Sequence, residues 1–217
     1  MALLFPRIYP ILDSATIPAA GRGEFLRRVG SELAEAGVTL LEYRNKRGTD
    51  AEIVADAEVL RVEMAAPNIK LILNDRVDLV EQVGFDGVHV DAGDASPGEA
   101  RRLLGAARII GTFGGPAIAG GLLLPGILEE PVDYWAIGPV FPTQTKETSK
   151  TPIGAAGVRR LRAQAGPGPV LTAAGGITLE SAGEVLAAGA TSVAVSAAIF
   201  RAADPAAELR RWFRALG

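Results

Sequence analysis

Short apolar runs rich in β-branched residues recur along the chain at 8–12, 38–43, 69–73, 86–90, 108–112, 133–138, 169–173 and 191–196. Few of them alternate apolar with polar positions. Near-continuous apolar strands are what a parallel sheet needs when helices cover its outer face. Helical patterns lie between the runs. Thr49 with Glu52 reads as a capping box, after which Ile53, Ala57, Leu60 and Met64 trace one stripe. Ser96-Pro97-Gly98-Glu99 is a second box, with Pro at the first helical position. Thr178 opens a further helix with Ala182, Val185, Leu186 and Gly189 on one face. The last segment offers Ala206, Leu209, Trp212, Phe213 and Leu216 as a docking face.

One phrase repeats. Gly37-Val38, Gly84-Phe85-Asp86-Gly87-Val88 and Gly189-Ala190-Thr191-Ser192-Val193 each close a helix with glycine and run directly into a strand. Eight strands in 217 residues leave about 27 residues per unit, near the lower limit for a (β/α)8 TIM barrel. The expected fold is therefore α/β: a parallel eight-stranded barrel with outer helices, formed as one domain over 1–217. A doubly wound open sheet is the alternative, but it has fewer strands and a Gly-rich loop after the first. Here the first run is followed by Asp13-Ser14-Ala15-Thr16. The Gly- and Pro-rich stretch 114–131 predicts a fifth helix that is short, broken or replaced by loop.

Composition narrows the chemistry. The 22 basic and 25 acidic residues give a net charge of −3, which argues against a nucleic-acid binder and leaves room for a small anion held by a few placed cations. With no cysteine, disulfides, thiolate nucleophiles and zinc ribbons are excluded, and a single histidine excludes a His-rich metal site. No apolar run approaches the roughly 18 residues of a membrane span, and the first ten residues lack the pattern of a signal peptide. The expectation is a cytoplasmic protein with small phosphorylated substrates as partners, without nucleic acid or membrane. The oligomeric state is left open, a homo-oligomer included.

In such a barrel, chemistry collects just after each strand. Period-two alternation puts Glu42, Arg44 and Lys46 on one face, either as a ligand-binding group or as an internal salt-bridge cluster. Asp75 and Asp94 follow neighbouring strands and either hold one hard divalent cation or cap the helices that follow. His89, between Val88 and Val90, reads as a barrel-interior residue rather than a catalyst. Gly138-Pro139-Val140-Phe141-Pro142-Thr143-Gln144-Thr145-Lys146 carries two hydroxyls and an ammonium suited to phosphate oxygens. Gly175-Gly176 and Ser196, after the last two strands, match the usual phosphate site of these barrels.

Taken together and in this order, these motifs resemble the thiamin phosphate synthase family over nearly the whole chain. The matching segments are Glu42-Tyr43-Arg44-Asn45-Lys46, Asn74-Asp75-Arg76, Gly87-Val88-His89-Val90, Asp94-Ala95-Ser96, the strand-six motif and Gly175-Gly176-Ile177. The resemblance implies a transferase that joins hydroxymethylpyrimidine diphosphate to a thiazole phosphate and releases diphosphate. It implies Mg2+ as cofactor, held by Asp75 and Asp94. Arg44, Lys46 and Lys146 would be catalytic and, with Asn74, contact the diphosphate. Thr143, Thr145, Gly176 and Ser196 would seat the thiazole phosphate. Two substrate-binding positions depart from the family pattern: Glu42 stands where glutamine is usual, and Phe113 where a serine is usual. A carboxylate accepts hydrogen bonds but donates none unless protonated. A thiazole tautomerase-like enzyme, whose usual histidine is replaced here by Gly115, and a non-catalytic phosphate-ligand binder are the alternatives.

Overall fold

The computed structural model describes residues 5–91, 93–113, 123, 127–143 and 151–217. Eight strands are all parallel and close in chain order: β1 (Ile8–Asp13), β2 (Leu40–Arg44), β3 (Lys70–Asn74), β4 (Gly87–Val90), β5 (Ile109–Phe113), β6 (Tyr134–Ile137), β7 (Leu171–Ala174) and β8 (Ser192–Val195). Closure comes from the pairing of β8 with β1, so the sheet has no edge and the open-sheet alternative is excluded. Eight helices are described: α1 (Arg22–Glu35), α2 (Asp50–Glu63), α3 (Val80–Val83), α4 (Pro97–Leu104), α5 (Gly154–Ala165), α6 (Leu179–Ala187), α7 (Ala197–Phe200) and α8 (Pro205–Leu216). Most of 114–131, where a broken fifth helix was expected, lies outside the described residues. Only a single 3-10 turn, Ile127–Glu129, is seen there.

The apolar stripes do what their spacing requires. Ile53, Ala57, Leu60 and Met64 are all buried between α2 and the sheet, and both capping boxes are closed at Thr49 and Ser96. Gly37, Gly84 and Gly189 have positive φ at the helix-to-strand junctions, the conformation that lets the chain turn back into the barrel.

The pleat separates two cores. Outward strand residues and the helix stripes form one continuous apolar shell. Phe5, Tyr9, Leu40, Ile72, Ile109, Tyr134 and Ala194 form a second cluster that fills the barrel interior. Helix α8 closes the shell with Leu209, Trp212 and Leu216, while Phe213 remains only partly buried. Its start is capped by Asp204, whose carboxylate accepts a hydrogen bond from Ala207 N at 2.8 Å. Asp204→Ala is expected to cost about 1 kcal/mol, lowering the melting temperature in a thermal scan by roughly 2–4 °C. Among the described residues no helix is long and apolar enough to cross a membrane.

Candidate active site

The parallel register decides which polar side chains meet. Ile11 lies opposite Glu42 and Asp13 opposite Arg44, so β1 and β2 bring one carboxylate against one guanidinium at the C-terminal rim. Arg44 pairs with Asp13, which is buried and also accepts a hydrogen bond from Ala15 N at 2.9 Å. On the next pair of strands, Asn74 lies opposite His89. A cavity of about 670 Å3 opens over these residues, within the range of small-molecule sites. Of the residues expected from sequence, Glu42, Arg44, Lys46, Asn74, Phe113, Thr143, Gly176 and Ser196 line it. Thr145 and Lys146 lie outside the described residues.

Asp75 and Asp94 stand behind Lys46. The Lys46 ammonium pairs with Asp75 and reaches Asp94 at 4.0 Å. Neither aspartate caps a helix. The turn after β3 begins at Arg76 with no side-chain cap, α4 is capped by Ser96, and Asp94 instead accepts a hydrogen bond from Asp91 N at 3.0 Å. Asp75 has φ 65°, the single positive φ outside glycine among the described residues. A left-handed non-glycine residue costs about 1–2 kcal/mol, and such strain concentrates where a side chain must be aimed. Burial is the main cause that pushes the Asp75 carboxyl up to about 6, with the neighbouring Asp94 adding to it and Lys46 opposing it. One oxygen of Asp75 is buried with no hydrogen-bond partner, as are Asn74 Oδ1 and Ser196 Oγ. Buried polar atoms are normally satisfied; Thr172 Oγ1 and Ser192 Oγ are likewise buried without a partner.

The phosphate side is built from two loops locked together. Val140 N donates to Ala174 O at 2.8 Å and Phe141 N to Gly175 O at 2.9 Å, which ties the loop after β6 to the loop after β7. Gly176, with φ 66°, lies so close to this loop that a Cβ would stand 2.3 Å from Pro142 O. The backbones can approach only because the side chain is missing. Thr143, Gly176 and Ser196 all line the cavity.

Sequence reasoning missed the floor. Tyr9 and Tyr134 line the cavity, are fully buried, and join Glu42 and His89 in one hydrogen-bonded chain. Tyr9 OH donates to Glu42 Oε2 at 3.0 Å, the two tyrosine oxygens are 2.9 Å apart, and His89 Nδ1 lies 3.1 Å from Tyr134 O. Burial, reinforced by the charge of Glu42, pushes both phenols well above their ordinary range, so both keep their protons. Their signal in the sequence was their place, at the starts of β1 and β6 on the inward parity. Attention to strand ends passed over it. His89 is an interior residue, as expected.

Comparison with known proteins agrees with this geometry. The family model for thiamine monophosphate synthase matches residues 8–199. A thiamine-phosphate synthase of Koribacter versatilis (strain Ellin345) is 38% identical over 195 residues, covering 90% of this chain and 89% of that protein. One from Agrobacterium fabrum (strain C58) is 40% identical over 172 residues, covering 77% and 76%. Among solved structures, a thiamine phosphate pyrophosphorylase from Pyrococcus furiosus superposes with a TM-score of 0.77 at 25% identity, covering 97% of this chain and 98% of that one. With a matching model over most of its length and relatives of this identity, the chain belongs to the thiamine monophosphate synthase family.

Proposed function

We propose that the protein is a transferase that couples hydroxymethylpyrimidine diphosphate to a thiazole phosphate, forming thiamin phosphate and releasing diphosphate. The observation that carries this reading is that Lys46, which pairs with Asp75 and reaches Asp94, lines the same cavity as Thr143, Gly175, Gly176 and Ser196, a glycine- and hydroxyl-bearing group suited to an anion. A binder of one monophosphate has no use for the first group. The curated relatives carry the synthase name, which favours coupling over the tautomerase-like and non-catalytic alternatives.

The reaction breaks the C–O bond between the pyrimidine's methylene carbon and diphosphate, the bonding pair leaving with the diphosphate. The pyrimidine ring shares the positive charge, and the thiazole nitrogen then forms the new C–N bond. Arg44 and Lys46 face the leaving group as fixed cations, and such preorganised charge is the largest contribution where charge develops in a transition state. Asn74 adds an amide beside them. Lys146 and Thr145, outside the described residues, belong to this reading by their place in the strand-six motif. Thr143, Gly176 and Ser196 hold the thiazole phosphate, and Phe113 and Glu42 bound the pyrimidine.

The residues present fit Mg2+. The cluster offers the hard carboxylate oxygens of Asp75 and Asp94, one of them buried and unpartnered, beside the Lys46 ammonium that pairs with Asp75. Among the described residues there is no group of three His, Cys, Asp or Glu that could hold a metal. Mg2+ is commonly held by one or two carboxylates and completed by phosphate oxygens and water. Asp75 and Asp94 would hold it, and when bound it would neutralise the departing diphosphate.

The test is direct. The purified protein, incubated with both substrates and Mg2+, should release thiamin phosphate and diphosphate in equal amounts. No product above a no-enzyme control overturns the reading.

A further inference from the structure

We infer that Asn45 is a positioning residue, whose side-chain amide clasps the loop after β2 to the loop after β1 and so holds Arg44 and Lys46 in the cavity. Four hydrogen bonds converge on that amide. Oδ1 accepts from Ser14 Oγ at 2.9 Å, from Gly48 N at 2.8 Å and from Arg47 N at 3.3 Å. Nδ2 donates to Tyr43 OH at 3.1 Å. Asn45 stands between Arg44 and Lys46 in the chain, and Ser14 follows Asp13, the partner of Arg44. The clasp therefore fixes both cations from one point. Arg44 and Lys46 line the cavity, whereas Asn45 is not among the residues that do.

The direction of the amide is imposed from behind. Tyr43 belongs to the outer apolar shell, is fully buried, and donates its hydroxyl proton to Asp56 Oδ2 on α2. Asp56 also accepts from Arg22 Nε, at the start of α1, at 3.0 Å to each oxygen, and Arg22 reaches the Tyr43 hydroxyl at 3.4 Å. Burial, followed by the hydrogen bond to Asp56, pushes the Tyr43 phenol well above its ordinary range, so it keeps that proton. With its one proton given to a carboxylate, Tyr43 meets Asn45 with a lone pair, and only the NH2 end of the amide can face it. The carbonyl end is thereby turned to Ser14 and the loop amides. Gly48 makes the room: a Cβ there would stand 2.2 Å from Asn45 Nδ2, so the amide occupies the place of the missing side chain. Residues of two outer helices thus set the aim of two cations inside the barrel. The effect on rate rests on the coupling reading above; the clasp does not.

The coupling assay, run well below the melting temperature of every variant, reads the effect. Asn45→Ala should lower kcat about 10–100-fold, the scale of misplacing a charge-stabilising group by about 1 Å, with KM for the thiazole phosphate unchanged. Gly48→Ala removes no polar group, yet fills the place of the amide and should reproduce that loss. Asn45→Asp keeps an acceptor for Ser14 and the loop amides but sets an oxygen against the lone pair of Tyr43, and should lose as much. Adding Tyr43→Phe to it removes the conflict and should recover activity, whereas merely structural damage from two changes would add. Wild-type kcat in both Asn45→Ala and Gly48→Ala overturns the inference, as does a double variant no faster than Asn45→Asp. Amide hydrogen exchange without substrate reads the clasp itself. The Gly48 amide should exchange about tenfold faster in Asn45→Ala than in the wild type, the scale of one lost hydrogen bond, and equal rates overturn the clasp. If the wild type makes no product, the coupling reading falls while the exchange arm still decides the clasp.

Discussion

Asp75→Asn is expected to cut the coupling rate by about 10²–10³-fold while leaving the fold more stable at neutral pH, not less. The loss follows from removing a fixed charge from the Lys46–Asp75–Asp94 group. The gain follows from the cost of burying the Asp75 charge. Asn tolerates the left-handed backbone of residue 75 as well as Asp does, so the turn survives. It brings no charge to be buried beside Asp94. The pH dependence gives the sign. The Asp75 carboxyl is raised from its ordinary 3.8 to about 6, mainly by burial, so the folded state holds the proton more tightly than the unfolded chain does. Its share of stability is complete below 3.8 and is lost as the pH rises through about 6. Carboxylates held low by Arg76, such as Asp50 and Asp78, act in the opposite sense. The diagnostic quantity is thus the difference between wild type and Asp75→Asn in thermal scans. That difference should favour the variant increasingly from pH 3.8 to about 6 and be flat above. Equal melting curves across that window would contradict it, as would an active variant. A site that trades stability for activity is the common pattern at functional positions.

Gly176→Ala should be the most damaging single methyl group on the phosphate side. Two penalties add. The left-handed φ of 66° costs an L-residue about 1–2 kcal/mol. The new Cβ would stand 2.3 Å from Pro142 O and 2.8 Å from Phe141 O, and both are backbone atoms that cannot swing aside. Relieving them moves the loop that carries Thr143, at an overpacking cost of about 1–3 kcal/mol. A total near 3 kcal/mol is expected in denaturant titrations, together with at least a tenfold weaker apparent affinity for the thiazole phosphate, since the amide and hydroxyl wall no longer lines up. Gly183→Ala in α6 is the control: nothing stands within 4 Å of its Cβ and its φ is ordinary. That change should leave affinity alone and stabilise the helix by roughly 0.5–1 kcal/mol.

Much of the fold was legible from the chain alone. Each of the eight strands lies within two residues of its apolar run, because burial on both faces writes a continuous apolar segment that needs no tertiary information to see. The face of α2 and the two capping boxes were legible for the same reason, being patterns of three and four residues. The site was legible at the strand ends, where Glu42, Arg44, Lys46, Asn74, Thr143, Gly176 and Ser196 do converge. Asp75 was ambiguous between ligand and cap, since both roles look alike in sequence; in the structure it caps no helix and pairs with Lys46.

By itself, then, the sequence determined the number and order of the strands, the faces of the helices and the residue types offered at the barrel's mouth, because these depend on periodicities of two and 3.6 residues that act locally. The tertiary structure alone decided which of those residues face one another. The pairing of β8 with β1 and the sequential registers place Tyr9 and Tyr134 in contact although 125 residues separate them along the chain. Barrel closure also raises the Asp75 carboxyl by burying it, and joins Glu42, Tyr9, Tyr134 and His89 into one chain of hydrogen bonds. Such contacts depend on the spatial sum of all eight registers, and no local stretch of sequence records that sum.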